Sequence, residues 1–305
     1  MRRPPPITDF IKYPIVGGTI ALAVGVSLAA WSGRIDVGSL YATVDIRRGQ
    51  LWRVLTSTLP HVNFLHLAFN VYWTWVFGTL LEEVFGHART SLIFVLLAVA
   101  GNGAEYAFLD GGVGLSGIGY GLFGLLWVLS RRDERFADAV DHNTVVTFVV
   151  WFFACIVMTV AGYPIGNVAH GVGAATGALL GWAISSSGRR KAATAAGLAV
   201  VVAGVLVGVT FARPWINFSK TGGYAEGELA YDALLANHDT DAIRWYRDAT
   251  RMQPGIAGYW FNLGIAYERM KRNSEAAGAY RRAVDIEPNN PTYQATWRER
   301  KNWVQ

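Results

Sequence analysis

Between residues 114 and 129 the chain reads GLSGIGYGLFGLLWVL, an uncharged segment in which glycines recur every two or three positions. Comparable apolar segments lie on both sides of it. They cover residues 15–31, 64–81, 90–108, 145–160, 168–184 and 192–212. Since ~20 apolar residues cross a hydrocarbon core of ~30 Å, these segments predict membrane-spanning helices, the shorter ones shielded by neighbouring protein. The sequence therefore predicts seven spans.

The composition agrees with a membrane environment. Of the 305 residues 52% are hydrophobic and 16% charged, whereas soluble domains are about 25% charged. The net charge of +5 comes from arginines placed between apolar segments. Because no basic face follows from that placement, nucleic acid is not an expected partner. A single cysteine, Cys155, excludes an intrachain disulfide and a multi-cysteine metal site.

The basic residues of the short loops predict an orientation, because Lys and Arg resist translocation. With the N-terminus inside, ten basic residues face the cytoplasm and four face outward. The inner set is Arg2, Arg3, Lys12, Arg89, Arg131, Arg132, Arg135, Arg189, Arg190 and Lys191, and the outer set is Arg34, Arg47, Arg48 and Arg53. We expect an integral protein of a bacterial inner (plasma) membrane with a cytoplasmic N-terminus and an extracytoplasmic C-terminal region.

A 34-residue repeat follows the last span. Ala242, Tyr246, Ala249 and Pro254 recur as Ala276, Tyr280, Ala283 and Pro288, and the second unit adds Trp260, Leu263, Gly264 and Tyr267. This pattern resembles the tetratricopeptide repeat, a helical hairpin. A helix over residues 293–304, with Trp297 and Trp303 as apolar contacts, is expected to cap the second unit.

The predicted fold is all-α, a polytopic membrane helical bundle with a small C-terminal helical-repeat domain. Its predicted parts are a cytoplasmic segment (1–14), a core of six spans (15–190), a seventh span (191–212), a linker (213–222) and the repeat region (223–305), made of units 223–256 and 257–290 plus the capping helix.

Ser116 and His170 are candidate catalytic residues, because polar groups within spans are costly. Ser116 opens the fourth span, and small residues around a serine can also serve helix packing alone. His170 begins the sixth span, and Gly173, Gly177 and Gly181 share its helical face. Such a face allows close approach of the glycine-rich fourth span, which would bring a nucleophile and a base within hydrogen-bond reach. An interhelical hydrogen bond without chemistry is the alternative role of His170.

Histidines near the second span are candidate oxyanion donors. His66 and Asn70 are four residues apart and share a helical face, whereas His61 and His66 are five apart. Zinc histidines on one helix favour four-residue spacing, so a pair of donors fits better than a metal site. His61 is equally well explained as a helix-entry residue. Because no aspartate accompanies Ser116 and His170 at membrane depth, the pattern predicts a dyad rather than a triad.

These residues together resemble the rhomboid protease family over about residues 15–186. The motifs that carry the resemblance are Trp52-Arg53, His61, His66, Asn70, Glu82, Gly114-Leu115-Ser116-Gly117, Tyr120, and His170 with Gly173 and Gly177. The seventh span and the repeats lie outside the minimal six-span family core.

The resemblance implies a role for each residue. Ser116 would be the nucleophile and His170 the base, while His66, Asn70 and the Ser116 amide would form the oxyanion site. Tyr120 would pack against the His170 ring. Supporting positions would be Gly114, Gly117, Gly173, Gly177 and His61, with Trp52-Arg53 in a membrane-embedded first loop and Glu82 in a structural hydrogen-bond network.

The sequence therefore predicts an intramembrane serine endopeptidase that cleaves in or near the transmembrane segment of another membrane protein, without cofactor or metal. Expected partners are such substrates, membrane lipid, and a peptide or protein bound by the repeats. The alternative is a non-catalytic rhomboid-like protein that binds transmembrane helices and docks a peptide on its repeats.

Overall fold

The computed structural model describes residues 3–304, and every regular element in that range is helical. Met1, Arg2 and Gln305, which belong to the predicted N-terminal segment and repeat region, lie outside the described residues. The chain divides into two compact units, the first ending at Phe211 and the second beginning at Ala212.

The first unit consists mainly of long apolar helices. They are α1 (Pro14–Trp31), α2 (Arg53–Thr56), α3 (Phe64–Phe108), α4 (Ser116–Leu129), α5 (His142–Val160), α6 (Asn167–Ser185) and α7 (Gly188–Val207). Short 3-10 helices cover Ile7–Lys12, Gly38–Leu40, Val44–Arg48 and Glu134–Phe136. Among the described residues, α1, α3, α5, α6 and the segment that begins with α7 are long and apolar enough to cross a membrane, and α4 is a shorter apolar helix.

The predicted second and third spans are the two helical arms of α3, which a non-helical residue, Gly86, separates at a kink. Its two arms meet at Gly86, whose φ of 75° lies in the left-handed region that glycine adopts without strain. The residues on either side of Gly86 are helical, and they include the good helix formers Glu, Ala and Arg and no proline.

The seventh helix begins at Gly188, earlier than the predicted start at residue 191. Residues 188–191 join α7 because Arg and Lys favour helix. The helix then passes into a π-helical turn, Gly208–Ala212. The side chain of Val205 on α7 lies against Gly103 of α3 and leaves no space for a side chain at position 103. Hence α7 packs directly on the backbone of α3.

The closest helix contact in the first unit joins α4 and α6. A Cβ at Gly173 or Gly177 would collide with the carbonyl oxygens of Gly117 and Gly121 respectively. A Cβ at Gly124 would collide with the carbonyl of Ala174 in the same way. Small residues therefore bring the two backbones into direct contact, as they commonly do in membrane helices.

The second unit is a series of antiparallel helix pairs. It comprises α8 (Arg213–Ile216), α9 (Tyr224–Leu235), α10 (Asp239–Met252), α11 (Ala257–Arg269), α12 (Asn273–Ile286), α13 (Pro291–Arg300) and a 3-10 turn (Lys301–Val304). The helix α8 lies within the segment that the sequence predicted to be a linker. Buried repeat positions hold the pairs together, and they are Ala242, Tyr246, Ala249, Ala276, Tyr280 and Ala283.

Candidate active site

Ser116 and His170 meet where α4 and α6 cross. The Oγ atom of Ser116 lies 2.9 Å from Nε2 of His170. With Nε2 in its neutral acceptor form, the serine hydroxyl donates this bond, which is the arrangement of a nucleophile and its general base. The glycine contacts between α4 and α6 create this geometry, because bulkier residues would hold the helices too far apart.

The His170 ring is held from one side by Tyr120. The two rings stack with centroids 4.5 Å apart and an interplanar angle of 22°. The Tyr120 hydroxyl donates to the carbonyl of Phe148 on α5, at 3.3 Å. His170 is buried, and among the described residues its Nδ1 has no hydrogen-bond partner. The stack, rather than an acidic third residue, therefore orients the imidazole.

Hydrogen bonds donated by two backbone amides hold the loop before Ser116 in place. The amide of Gly114 donates to the carbonyl of Ser57 at 3.1 Å, and the amide of Leu115 donates to Nε2 of His61 at 3.3 Å. The Nδ1 atom of His61 lies 3.0 Å from the carbonyl of Leu59, so Nδ1 carries the proton. His61 precedes α3 and supports this loop.

The next amide, that of Ser116, opens α4 and therefore has no acceptor within the helix. Asn70 lies nearby in the cavity wall, and its buried Nδ2 has no hydrogen-bond partner among residues 3–304. His66 also lines the cavity, with its ring 4.9 Å from that of His61. The Ser116 amide, Asn70 and His66 are thus three potential hydrogen-bond donors on residues that line the cavity.

A cavity of about 840 Å³ opens at the dyad. Its walls are largely apolar and aromatic, and they include Phe69, Trp73, Val113, Phe148, Trp151, Cys155 and Met158. Polar residues also line it, and they include Asn70, His66, Ser116 and His170. Such a combination is typical of a site that binds an apolar ligand and acts on it at one point.

Gly114 and Gly117 shape the backbone around the nucleophile. Gly114 has a φ of 105°, and a Cβ there would lie 2.7 Å from a ring carbon of His66. At Gly117 a Cβ would lie 3.0 Å from Oδ1 of Asn102. The Nδ2 atom of Asn102 donates in turn to Oγ of Ser57, at 3.2 Å. Both glycines are thus enclosed by polar side chains of α3.

Three predicted supporting residues lie outside the cavity. Trp52 is exposed, whereas the buried Arg53 bonds the first loop internally, donating to the carbonyl of Gly38 at 3.0 Å and pairing with Asp45. Glu82 accepts the amides of Ile15 and Val16, at 2.9 and 3.0 Å, and so caps α1. These residues hold the scaffold and do not touch the dyad.

Glu105 is a cavity residue that the sequence analysis did not single out. Its Oε2 atom accepts the amide of Ala169, the residue before His170, at 2.8 Å. A buried carboxylate within an apolar span is itself a signal of a functional position. That signal is present in the sequence of the third predicted span.

Comparisons with known proteins identify both parts of the chain. Residues 48–187 match the family model of the rhomboid domain, and residues 217–291 match that of the tetratricopeptide repeat. Residues 48–187 thus resemble a rhomboid domain. The chain is therefore an integral membrane protein with a helical-repeat region at its C-terminal end.

This region is similar to bacterial proteins. Over 144 residues the chain is 28% identical to a rhomboid protease GlpG of Klebsiella pneumoniae, a match that covers 47% of this chain and 52% of the relative. It is 26% identical over 152 residues to a rhomboid protease GlpG of Haemophilus influenzae, covering 50% of this chain and 78% of the relative. The chain thus spans about half the length of the first of these relatives.

Proposed function

We propose that the protein is an intramembrane serine endopeptidase in which Ser116 and His170 form the catalytic dyad. The observation that carries the proposal is the 2.9 Å approach of Ser116 Oγ to His170 Nε2 at the wall of an apolar cavity. The names of the relatives, rhomboid proteases, support the same reaction.

The reaction follows the chemistry of an activated serine. His170 Nε2 takes the hydroxyl proton while Ser116 Oγ attacks the carbonyl carbon of the scissile peptide bond. The resulting oxyanion accepts hydrogen bonds from the Ser116 amide, the Asn70 amide nitrogen and the His66 ring. His170 then protonates the leaving amine, and water in the cavity hydrolyses the acyl-enzyme.

The proposed substrate is the transmembrane segment of another membrane protein, or the residues next to it. The apolar walls of the cavity suit such a segment, which must unwind locally because a helical peptide bond is sterically hidden from attack. The family resemblance suggests small residues at the cleaved bond. Membrane lipid is the other expected partner.

The orientation of the chain is part of the proposal. The excess of Lys and Arg in alternate loops favours a cytoplasmic N-terminus for a chain in a bacterial inner membrane. The repeat region, residues 223–305, would then be extracytoplasmic and available to bind a peptide or protein. Protection of this region from added protease in spheroplasts would contradict the orientation, whereas its digestion would support it.

The test of the proposed reaction is cleavage of a tagged single-span protein by the full-length chain in proteoliposomes. We expect cleavage by the wild type and loss of cleavage in Ser116→Ala. The matched control is Ser130→Ala at the other end of α4, where the hydroxyl donates only to the carbonyl of Trp127. Equal cleavage by the wild type and Ser116→Ala would instead favour a non-catalytic binder of transmembrane helices.

The contribution of the repeats can be measured with the same assay. If the repeats recruit substrates, deletion of residues 223–305 should lower the cleavage rate or reduce the number of single-span substrates that are cleaved. Unchanged rates for every substrate would exclude recruitment.

A further inference from the structure

The helix that carries the general base has no cap of its own. The residue before α6 is Gly166, which has no side chain to accept the free amides of the first turn. Four such amides begin every α-helix and require partners when they are buried. By contrast, α3 and α5 are capped locally by Asn63 and Asp141.

A carboxylate from another helix supplies the missing cap. Oε2 of Glu105, on α3, accepts the amide of Ala169 at 2.8 Å. Glu105 is buried, with 3% of its surface exposed. A side-chain oxygen placed at a helix N-terminus satisfies an amide that would otherwise stay unpaired.

The same side chain also contacts the segment that leads to the nucleophile. A Cβ at Gly112, four residues before Ser116, would lie 3.3 Å from Cγ of Glu105. At Gly166 a Cβ would lie 3.3 Å from Oε2. The two glycines thus enclose Glu105 between the loop that precedes Ser116 and the turn that precedes His170.

We infer that Glu105 is a positioning residue, which fixes the start of α6 against α3 and so sets the distance between Ser116 and His170. This inference rests on the proposed dyad. Glu105 bonds the backbone next to His170 rather than the imidazole, so its effect passes through the amide of Ala169. Catalytic geometry tolerates little error, and a displacement of ~1 Å can cost ~10²-fold in rate.

The inference is tested with four variants of the full-length protein, in proteoliposomes, using the single-span substrate. Glu105→Ala removes the cap. Glu105→Gln keeps both the reach and one acceptor oxygen, whereas Glu105→Asp keeps the charge but shortens the side chain. Glu82→Ala is the matched control, since Glu82 is also buried and caps a helix, α1, that carries no dyad residue.

We expect Glu105→Ala to lower kcat by about tenfold or more with little change in KM. Glu105→Gln should recover most of the activity, and Glu105→Asp should recover less, since reach rather than charge carries the effect. If Glu105→Ala does not fold, the comparison of kcat between Glu105→Gln and Glu105→Asp tests the positioning role instead. Glu82→Ala should lower the melting temperature while its folded fraction keeps the wild-type kcat.

Three results with Glu105→Ala would overturn the inference. They are an unchanged kcat in Glu105→Ala, a rise in KM alone, which would make Glu105 a substrate contact, and equal losses of kcat in Glu105→Ala and Glu82→Ala. Wild type and Ser116→Ala are assayed in parallel. If they do not differ, the proposed function fails; if they differ and Glu105→Asp matches Glu105→Gln, the positioning role alone fails.

Discussion

Gly177 of α6 lies against the carbonyl oxygen of Gly121 in α4 with no room for a Cβ between them. Gly173 stands in the same relation to Gly117, one turn nearer to the dyad. The hydroxyl of Ser116 and the imidazole of His170 are side chains of these two helices. Their separation is therefore set by how closely the two backbones approach.

Gly177→Ala should force α4 and α6 apart. Overpacking of this kind costs about 1–3 kcal/mol, and we expect a lower melting temperature in detergent together with reduced cleavage. Gly197→Ala on α7 is the control, because a Cβ there meets nothing within 4 Å. A Gly177→Ala variant as stable and active as Gly197→Ala would show that the contact does not set the geometry.

Gly114→Ala should impair the site in a different way. At a φ of 105° any side chain is strained, and the new methyl group would also displace the His66 ring. We expect the two effects together to lower the free energy of unfolding by about 1–3 kcal/mol or more. Gly33→Ala provides the comparison, since its φ of 70° is also positive but its surroundings are open. Cleavage kinetics should show a loss of kcat for Gly114→Ala and wild-type kcat for Gly33→Ala.

Asn70→Ala should lower kcat without unfolding the protein. Loss of one oxyanion donor typically costs roughly 10²–10³-fold in kcat. Because no described residue accepts a hydrogen bond from Asn70 Nδ2, its removal should leave the melting temperature nearly unchanged. A large fall in melting temperature with unchanged kcat would assign Asn70 a structural role instead.

The repeat region should lose stability in acid. Hydrogen bonds from Arg300, and a further one from the Tyr280 hydroxyl, lower the pKa of Glu268 in this part of the chain. A depressed folded pKa contributes stability above the unfolded value, near 4.3, and this contribution is lost as the pH falls through the folded pKa.

Hydrogen exchange of α13 in the full-length chain can measure this effect. After correction for intrinsic exchange rates, the fraction of molecules in which α13 is open to exchange should rise as the pH falls below ~4.3. This rise should be steeper in the wild type than in Glu268→Gln, which has no titrating group at position 268. Other carboxylates are common to both proteins. Identical acid profiles would mean that the bond from Arg300 on α13 to Glu268 on α11 does not stabilise the repeats.

Local patterns were sufficient to predict several features of this structure. Glycine spacing predicted the contact of the fourth and sixth spans, because a face of small residues has few uses other than close approach. The repeat of Ala242, Tyr246 and Ala249 at intervals of 34 predicted the helix pairs, because buried positions recur with the hairpin.

Features that depend on distant contacts could not be obtained in the same way. The kink that divides α3 at Gly86 depends on a backbone angle rather than on composition. Likewise, His61 bonds the Leu115 amide across 54 residues, and Glu105 bonds that of Ala169 across 64. Neither pairing has a periodic signature, although a carboxylate in an apolar span marks Glu105 as a position to examine.

Covalent labelling with a fluorophosphonate tests the central claim most directly, since such a probe reports whether a serine is activated by its base in the absence of any peptide substrate. After reaction of the full-length protein, mass spectrometry should locate one phosphonyl group on Ser116, and both Ser116→Ala and His170→Ala should abolish it. Labelling at another residue, or at Ser116 with equal rates in the wild type and His170→Ala, would contradict a shared proton between Ser116 and His170.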